Sequence, residues 1–425
     1  MGFLNPGKFM VGYDIGNDFV QLSYCVGDGE VETLSSVAGE ESYNVPMVLC
    51  KRQGANQWFY GKEALRMAED GEGILVENLL KLALDGEPIQ IDGTTFEPIA
   101  LLTLFVKRSL GMLSQVAGLE KLAGMMFTCE KPDARMIEVL QQVVKGMHLK
   151  TDKVFYQSHA ESFYHYVIKQ SKELWQSRVL LLEYRGTRVQ AYCMDCNRRT
   201  TPVVCSVDAW EHSMLPYEPM PEDEELKREK MERLDREFAE LASLVCKNTA
   251  VSSVYLIGEH YSDEWMKESL RTLCMGRRVF QGNNLYSKGA CMAMQERLRP
   301  SEVGKAHVFL GQDKLKVNIG MYMFHQGEET YVALMDAGIN WYEAVHEFEF
   351  YQRGDNELEL QLTSLMGGES RMEKITLEDM LPGMSRMKAK LYLTGEKNLV
   401  LEVEDLGFGS FRPATHQVWR KEIAL

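Results

Sequence analysis

The sequence predicts two mixed α/β lobes of similar build followed by a smaller all-β domain, and three observations predict it. Strands and helices alternate from Met10 to Arg297. Within that stretch, two hairpins recur, each with an acid at the end of its first strand and a glycine at its tip. From residue 306 onward, short strands of alternating polarity replace the mixture. The 425 residues are enough for two or three domains, and 45% apolar with 26% charged residues supply a core and a hydrated surface.

Met10 to Cys25 alternates Val11, Tyr13 and Ile15 with Val20, Leu22 and Tyr24 about a Gly16-Asn17-Asp18 tip, the pattern of a hairpin. Val45 to Leu49 and Gln57 to Tyr60 read as short strands, and Gly61 to Ala68 as the opening of a helix. Pro98 to Leu113 predicts a long apolar helix, with Pro98 near its start where a missing N–H is tolerated. A buried strand at Gly124 to Cys129 precedes an amphipathic helix at Asp133 to Met147, whose Met136, Leu140, Val143 and Val144 share a face. Strand Lys153 to Tyr156, helix Ala160 to Trp175 and strand Val179 to Leu182 follow. The second hairpin turns at Arg185-Gly186-Thr187 and returns along Val189, Ala191 and Cys193.

Residues 216–225 form a Pro-rich acidic loop before a helix from Leu226 to Cys246 striped with Met231, Leu234, Phe238, Leu241 and Val245. Strand Val251 to Ile257, helix Asp263 to Cys274, strand Val279-Phe280 and a helix ending near Arg297 complete the lobes. Pro300 to Gly304 marks the boundary. The expected domains are therefore 1–303, with lobes of about 1–157 and 158–303, and a β-sandwich at 304–425. Its strands are Lys314 to Tyr322, Thr330 to Met335, Glu347 to Tyr351, Glu357 to Leu362, Lys388 to Leu393 and Leu399 to Val403, with turns such as Arg353-Gly354-Asp355-Asn356.

A net charge of −15 repels nucleic acid, and no basic patch overrides it. No apolar run has the length of a membrane span. Nine cysteines, an odd number without framework spacing, fit a reducing cytoplasm. Cys193-Met194-Asp195-Cys196 with Cys205 could ligate zinc, but buried thiols on a strand and its hairpin partner explain them more simply.

The two hairpins superpose as sequence: Asp14-Ile15-Gly16-Asn17-Asp18-Phe19-Val20-Gln21 lies over Glu183-Tyr184-Arg185-Gly186-Thr187-Arg188-Val189-Gln190. A glycine tip lets backbone N–H groups approach oxyanions, and a strand-end acid can hold Mg²⁺ through water. An ordinary meander hairpin has the same outline.

The order of further motifs extends the pattern. Val11-Gly12-Tyr13-Asp14-Ile15-Gly16 is followed by Tyr60-Gly61-Lys62-Glu63-Ala64, Phe127-Thr128-Cys129-Glu130-Lys131-Pro132 and Gln157-Ser158-His159-Ala160-Glu161-Ser162. Val254-Tyr255-Leu256-Ile257-Gly258-Glu259 and Leu285 to Ala290 come last. In this order they resemble the phosphate, connecting and adenosine motifs of the actin, sugar-kinase and heat-shock-chaperone ATPase superfamily, most closely its DnaK-type branch. The resemblance implies an actin-like (ribonuclease H-like) two-lobed ATPase fold, ATP or ADP with Mg²⁺ as ligand, and a tail similar to the substrate-binding sandwich. Carried onto this chain, the nucleotide-binding candidates are Asp14, Gly16, Asn17, Asp18, Lys81, Glu183, Arg185, Gly186, Thr187, Gly258 and Glu259. Asp14, Asp18 and Glu183 are the candidates for magnesium.

The chain departs from the family where ATP would be held. Asn17 and Asp18 replace hydroxyl residues, Arg185 and Arg188 flank the second tip, and His159 stands in place of an acid. Glu259 and His260 follow a single glycine, Gly258. Residues 206–250 look too few for the family's full upper lobe. Phosphoryl transfer depends on positioning and charge stabilisation, so losing several such groups together should remove turnover. No catalytic residue is assigned. The expected function is a chaperone-like module with a degenerate nucleotide site, a pseudo-ATPase scaffold that binds a protein or peptide partner. The alternative is an active Mg-ATP-dependent chaperone or ATPase with a rebuilt phosphate site.

Overall fold

Every residue of strand Phe9–Ile15 is buried, and so is every residue of Leu122–Cys129, which pairs with it in parallel. Strands covered on both faces carry near-continuous apolar runs, and these two show it. The computed structural model describes residues 7–425 apart from 38, 217–218, 248, 263–264, 354–355 and 366–369; the side chains at 259, 262 and 325 are also outside the description. The expected turn at Gly354-Asp355 and part of the 216–225 loop therefore lie outside the described residues. The chain divides into two compact units, Met1–Val308 and Phe309–Leu425. Residues around the expected boundary form instead a short helix, Glu302–Ala306.

In the first unit, one sheet runs in the order Val154–Ser158, Leu122–Cys129, Phe9–Ile15, Phe19–Val26, Glu32–Thr33. Its first three strands are mutually parallel and its last two pair antiparallel. A second sheet contains Arg278–Gly282, Val251–Ile257, Arg178–Arg185, Arg188–Asn197 and Val203–Ser213, with the same order and the same directions. The likeness reaches the register. Asp14 lies opposite Gln21 in one hairpin, and Glu183 lies opposite Gln190 in the other. Gly16 N donates to Phe19 O at 3.2 Å around Asn17-Asp18, while Arg185 pairs with Arg188 around Gly186-Thr187. Gly186 has φ +56°, the left-handed conformation that two-residue hairpins place on glycine.

Helices cover these sheets. Ala134–Met147 starts where an Asp133 carboxylate oxygen accepts from Met136 N at 2.8 Å, and Ser158 caps His159–Ile168 in the same manner. Leu285–Leu298 lies against both Phe9–Ile15 and His159–Ile168. A Cβ on Gly12 would fall 2.1 Å from Ser287 O, and one on Gly289 would fall 2.0 Å from Ser162 O. Only glycine permits backbones this close.

Helix Glu224–Cys246 sets Leu234, Phe238 and Leu241 into one core with Leu180, Leu182 and Leu256 of the second sheet. Its buried Asp235 reaches sideways. One carboxylate oxygen accepts from Lys267 N (3.0 Å) and Glu268 N (2.7 Å), the other from Ser269 N (2.9 Å) and Ser269 Oγ (2.6 Å). Burial opposes the charged form, but these four donors outweigh it and hold the Asp235 carboxyl below its usual pKa. Asp235→Ala strands three backbone donors and should cost about 2–3 kcal/mol. Thermal unfolding and hydrogen exchange at Glu268–Leu273 would register that loss; unchanged exchange there would contradict it.

Three elements differ from expectation. The helix predicted over 160–175 ends at Ile168 and resumes as a 3₁₀ turn at Lys172–Trp175. Of the helix predicted over 263–274, residues 263–264 lie outside the described residues, and the helix observed is Glu268–Leu273, which begins where Asp235 caps it. Strand Val203–Ser213, 11 residues long, was not delimited from sequence, and the helix predicted over 226–246 begins slightly earlier, at Glu224.

The second unit holds two four-stranded antiparallel sheets. One runs Glu328–Met335, Val317–His325, Glu357–Ser364, Arg371–Thr376; the other runs Val345–Arg353, Met384–Gly395, Asn398–Asp405, Val418–Ala424. Alternate residues point inward, so Leu358, Leu360 and Leu362 of one sheet share a core with Met387, Ala389 and Leu391 of the other. Strands Arg371–Thr376 and Val418–Ala424 were not anticipated. Among the described residues, no helix is long and apolar enough to cross a membrane.

Candidate functional site

Strand-end acids in equivalent registers on two equivalent sheets border one shared space. A cavity of about 360 Å³ is lined by Asp14, Gly16, Asn17 and Asp18 from the first hairpin and by Glu183, Arg185 and Gly186 from the second. Gly258, at φ +115°, completes this set of expected residues; a Cβ there would meet Tyr184 O at 2.9 Å. Three candidates are not part of the lining. Lys81 is exposed on helix Leu79–Asp85, and Thr187 is exposed at its tip, its carbonyl accepting from Met214 N at 2.8 Å. Glu259 follows Gly258, but its side chain is outside the described residues. Arg188, which flanks the second tip, pairs with Glu211 at 2.9 Å.

The acids are engaged by side chains of the chain itself. His159 Nε2 lies 2.7 Å from Asp14 Oδ1, and both groups are buried. Against a carboxyl oxygen that nitrogen is the donor; His159 Nδ1 is buried without a hydrogen-bond partner. The imidazole stacks on Tyr286, ring centroids 3.8 Å apart and planes 8° from parallel. Tyr286 donates its hydroxyl to Glu183 Oε2 at 2.9 Å, and Arg185 Nε donates to Glu183 Oε1 at 2.6 Å. Arg185 also reaches Glu130 of the first lobe at 3.3 Å. Burial and then the Glu183 carboxylate push the Tyr286 phenol well above its usual pKa, which keeps it a donor. Burial would lower the Arg185 pKa, but Glu183 outweighs it, with Glu130 adding to the rise.

The result is a continuous fastening from Asp14 through His159, Tyr286, Glu183 and Arg185 to Glu130, crossing from one sheet to the other and back. As placed, Asp14, Asp18 and Glu183 do not fit a resident Mg²⁺. Asp14 Oδ1 and both Glu183 carboxylate oxygens are engaged, Asp18 is exposed, and a divalent cation at Glu183 would sit beside a guanidinium.

Several lining residues were not among the nucleotide-site candidates. Gln21 Nε2 donates to Asn44 Oδ1 (2.7 Å) and Asn283 O (2.6 Å), and His260 packs edge-on to Tyr184 at 5.2 Å. The repeat itself carried a signal for Gln21, since Gln190 matches it. Tyr286 lies inside the Leu285 to Ala290 motif. Asn44 and Asn283 have no local signal.

The zinc alternative for the cysteines fails on geometry. Three positions apart on a strand, Cys193 and Cys196 face opposite sides, Cys193 toward the core beneath helix Glu224–Cys246. Cys196 instead meets Cys205 across the ladder.

Comparison with known proteins agrees with the division into units. A model of a domain of unknown function, DUF8552, matches residues 314–425. No curated protein matches the chain. The C-terminal model of DUF5716, a family of unknown function, matches residues 30–312, and the chain belongs to that family.

Proposed function

We propose that this chain is a chaperone-like protein-binding module, in which an actin-like, DnaK-related pair of lobes serves as a pseudo-ATPase scaffold. The actin-like reading is supported by the five-strand order occurring twice, with a cavity at the two hairpin tips. One observation carries the loss of turnover. Where a nucleotide machine would present free carboxylates to a metal, Asp14 and Glu183 are bonded to His159, Tyr286 and Arg185. Partner binding is assigned to the β-rich unit. Support comes from its exposed aromatics, where Phe411, 89% exposed, packs beside Phe408, which in turn meets Tyr351. A cytoplasmic setting is consistent with nine unbonded cysteines. Fold alone does not fix function, so the test addresses the site.

Isothermal titration of the full chain with Mg-ATP and Mg-ADP should show no binding at micromolar concentrations, and phosphate release should stay at background. A micromolar Kd, with Mg²⁺-dependent turnover that vanishes in Asp14→Ala, would overturn this reading in favour of a working ATPase with a rebuilt site.

A further inference from the structure

Cys196 and Cys205 face each other across the antiparallel pair Arg188–Asn197 and Val203–Ser213, with their sulfur atoms 2.8 Å apart. Directly opposed residues on antiparallel strands have Cα atoms about 4.5–5.5 Å apart. That spacing lies inside the range a disulfide spans, about 4.4–6.8 Å, so bridging needs little backbone movement. We propose that Cys196 and Cys205 form a reversible disulfide by exchange with a low-molecular-weight disulfide, making this strand pair a covalent modification site.

The two thiols differ in a way that sets the order of events. Cys205 is fully buried, whereas Cys196 is only half-buried and reachable from solvent. The hydrogen bond from Cys205 pulls the Cys196 thiol below its usual pKa, burial opposes this, and the Arg198 guanidinium adds to the lowering. Arg198 is held in place by donating to Trp175 O at 2.9 Å and lying over the Trp175 ring at 5.6 Å. The same hydrogen bond, with burial, raises Cys205. Cys196 is thus the attacking thiolate and Cys205 the resolving thiol.

Cys196 Sγ, having lost its proton, attacks one sulfur of RS–SR. A Cys196–SR bond forms, the RS–SR bond breaks, and RS⁻ leaves. Cys205 then loses its proton and attacks Cys196 Sγ; the Cys196–Cys205 bond forms and a second RS⁻ leaves. The protein gives up two protons and two electrons, and the small disulfide is reduced to two thiols. The tie closes the hairpin end around residues 197–204. It lies beside Tyr164 of helix His159–Ile168, whose phenol is raised mainly by burial and further by both sulfurs. Elsewhere in the second lobe, Cys193 faces the opposite side of the strand and Cys274 is exposed.

The test uses full-length protein equilibrated in glutathione buffers from reducing to oxidising, quenched in acid, alkylated and mapped by peptide mass spectrometry. A linked Cys196–Cys205 peptide, two hydrogen atoms lighter than the reduced pair and restored by excess thiol, is expected. Hydrogen exchange in Arg188–Asn197 and Val203–Ser213 should slow on oxidation. Cys205→Ser should accumulate glutathione on Cys196, and Cys196→Ser should leave Cys205 reduced. Full alkylation of both cysteines in wild type across the whole range, while exposed Cys274 takes up glutathione, overturns the proposal. So does an unmodified Cys196 in Cys205→Ser.

Discussion

Asp405→Ala is expected to destabilise the second unit by roughly 3–5 kcal/mol, the usual cost of removing one partner from a buried ion pair. Asp405 is fully buried on strand Asn398–Asp405. One carboxylate oxygen accepts from Ser385 Oγ and from Gly407 N at 3.0 Å; the other accepts from Thr415 Oγ1 at 2.7 Å and from Arg412 at 3.2 Å. The substitution leaves the Arg412 guanidinium, 11% exposed, without its carboxylate, and strands three further donors. A lower urea midpoint and faster exchange in Met384–Gly395 and Asn398–Asp405 are the readouts; equal midpoints would refute the account. The same residue gives a pH signature. Burial raises its pKa, but the donors prevail and hold it at about 2, below the usual 3.8. A depressed folded-state pKa stabilises above the unfolded value, so the contribution is complete above about pH 3.8. It is lost as pH falls toward about 2. That is roughly 2 kcal/mol present in wild type and missing from the acid titration of Asp405→Ala.

Gly289→Ala separates two effects of opposite sign. Inside a helix, alanine should stabilise by about 1 kcal/mol relative to glycine. Here the new Cβ would meet Ser162 O at 2.0 Å, backbone against backbone, so helices His159–Ile168 and Leu285–Leu298 must move apart. Overpacking of this kind costs about 3 kcal/mol, and more where no side chain can yield. Net of the helix gain, the loss is about 2 kcal/mol, and at roughly 2–4 °C per kcal/mol the first unit should lose about 4–8 °C in Tm. Gly111→Ala is the matched control: it begins a 3₁₀ turn with nothing within 4 Å of its would-be Cβ, and should be neutral or slightly stabilising. A stabilised Gly289→Ala would mean that the close crossing of the two helices does not exist.

What the sequence disclosed followed the reach of local physics. Both hairpins were readable because Val11, Tyr13 and Ile15, and their counterparts in the second lobe, alternate at the strand period beside a turn residue. Helix Ala134–Met147 was readable from its apolar stripe, while its Asp133 cap was not singled out. Strand Val203–Ser213 was not, because its outer half, Asp208 to Ser213, is mostly polar and gains its place by pairing with the return strand. The short helix at Glu268–Leu273 starts where a carboxylate from residue 235 meets it, information outside any local window. The candidate site divides likewise. The strand-end acids and tips were found from the repeat. That His159 would bond Asp14 across 145 positions, and that Tyr286 would bond Glu183 across 103, depends on folding having already happened.

The fastening between the sheets has a thermodynamic corollary. When a diffusible ligand clamps two bodies together, the clamp strengthens with the logarithm of that ligand's concentration. The imidazole, phenol and guanidinium groups here are tethered to the backbone, so their local concentration is set once, when the polypeptide is made. The lobes' mutual posture should answer to heat, and at the half-exposed Arg185–Glu130 contact to ionic strength.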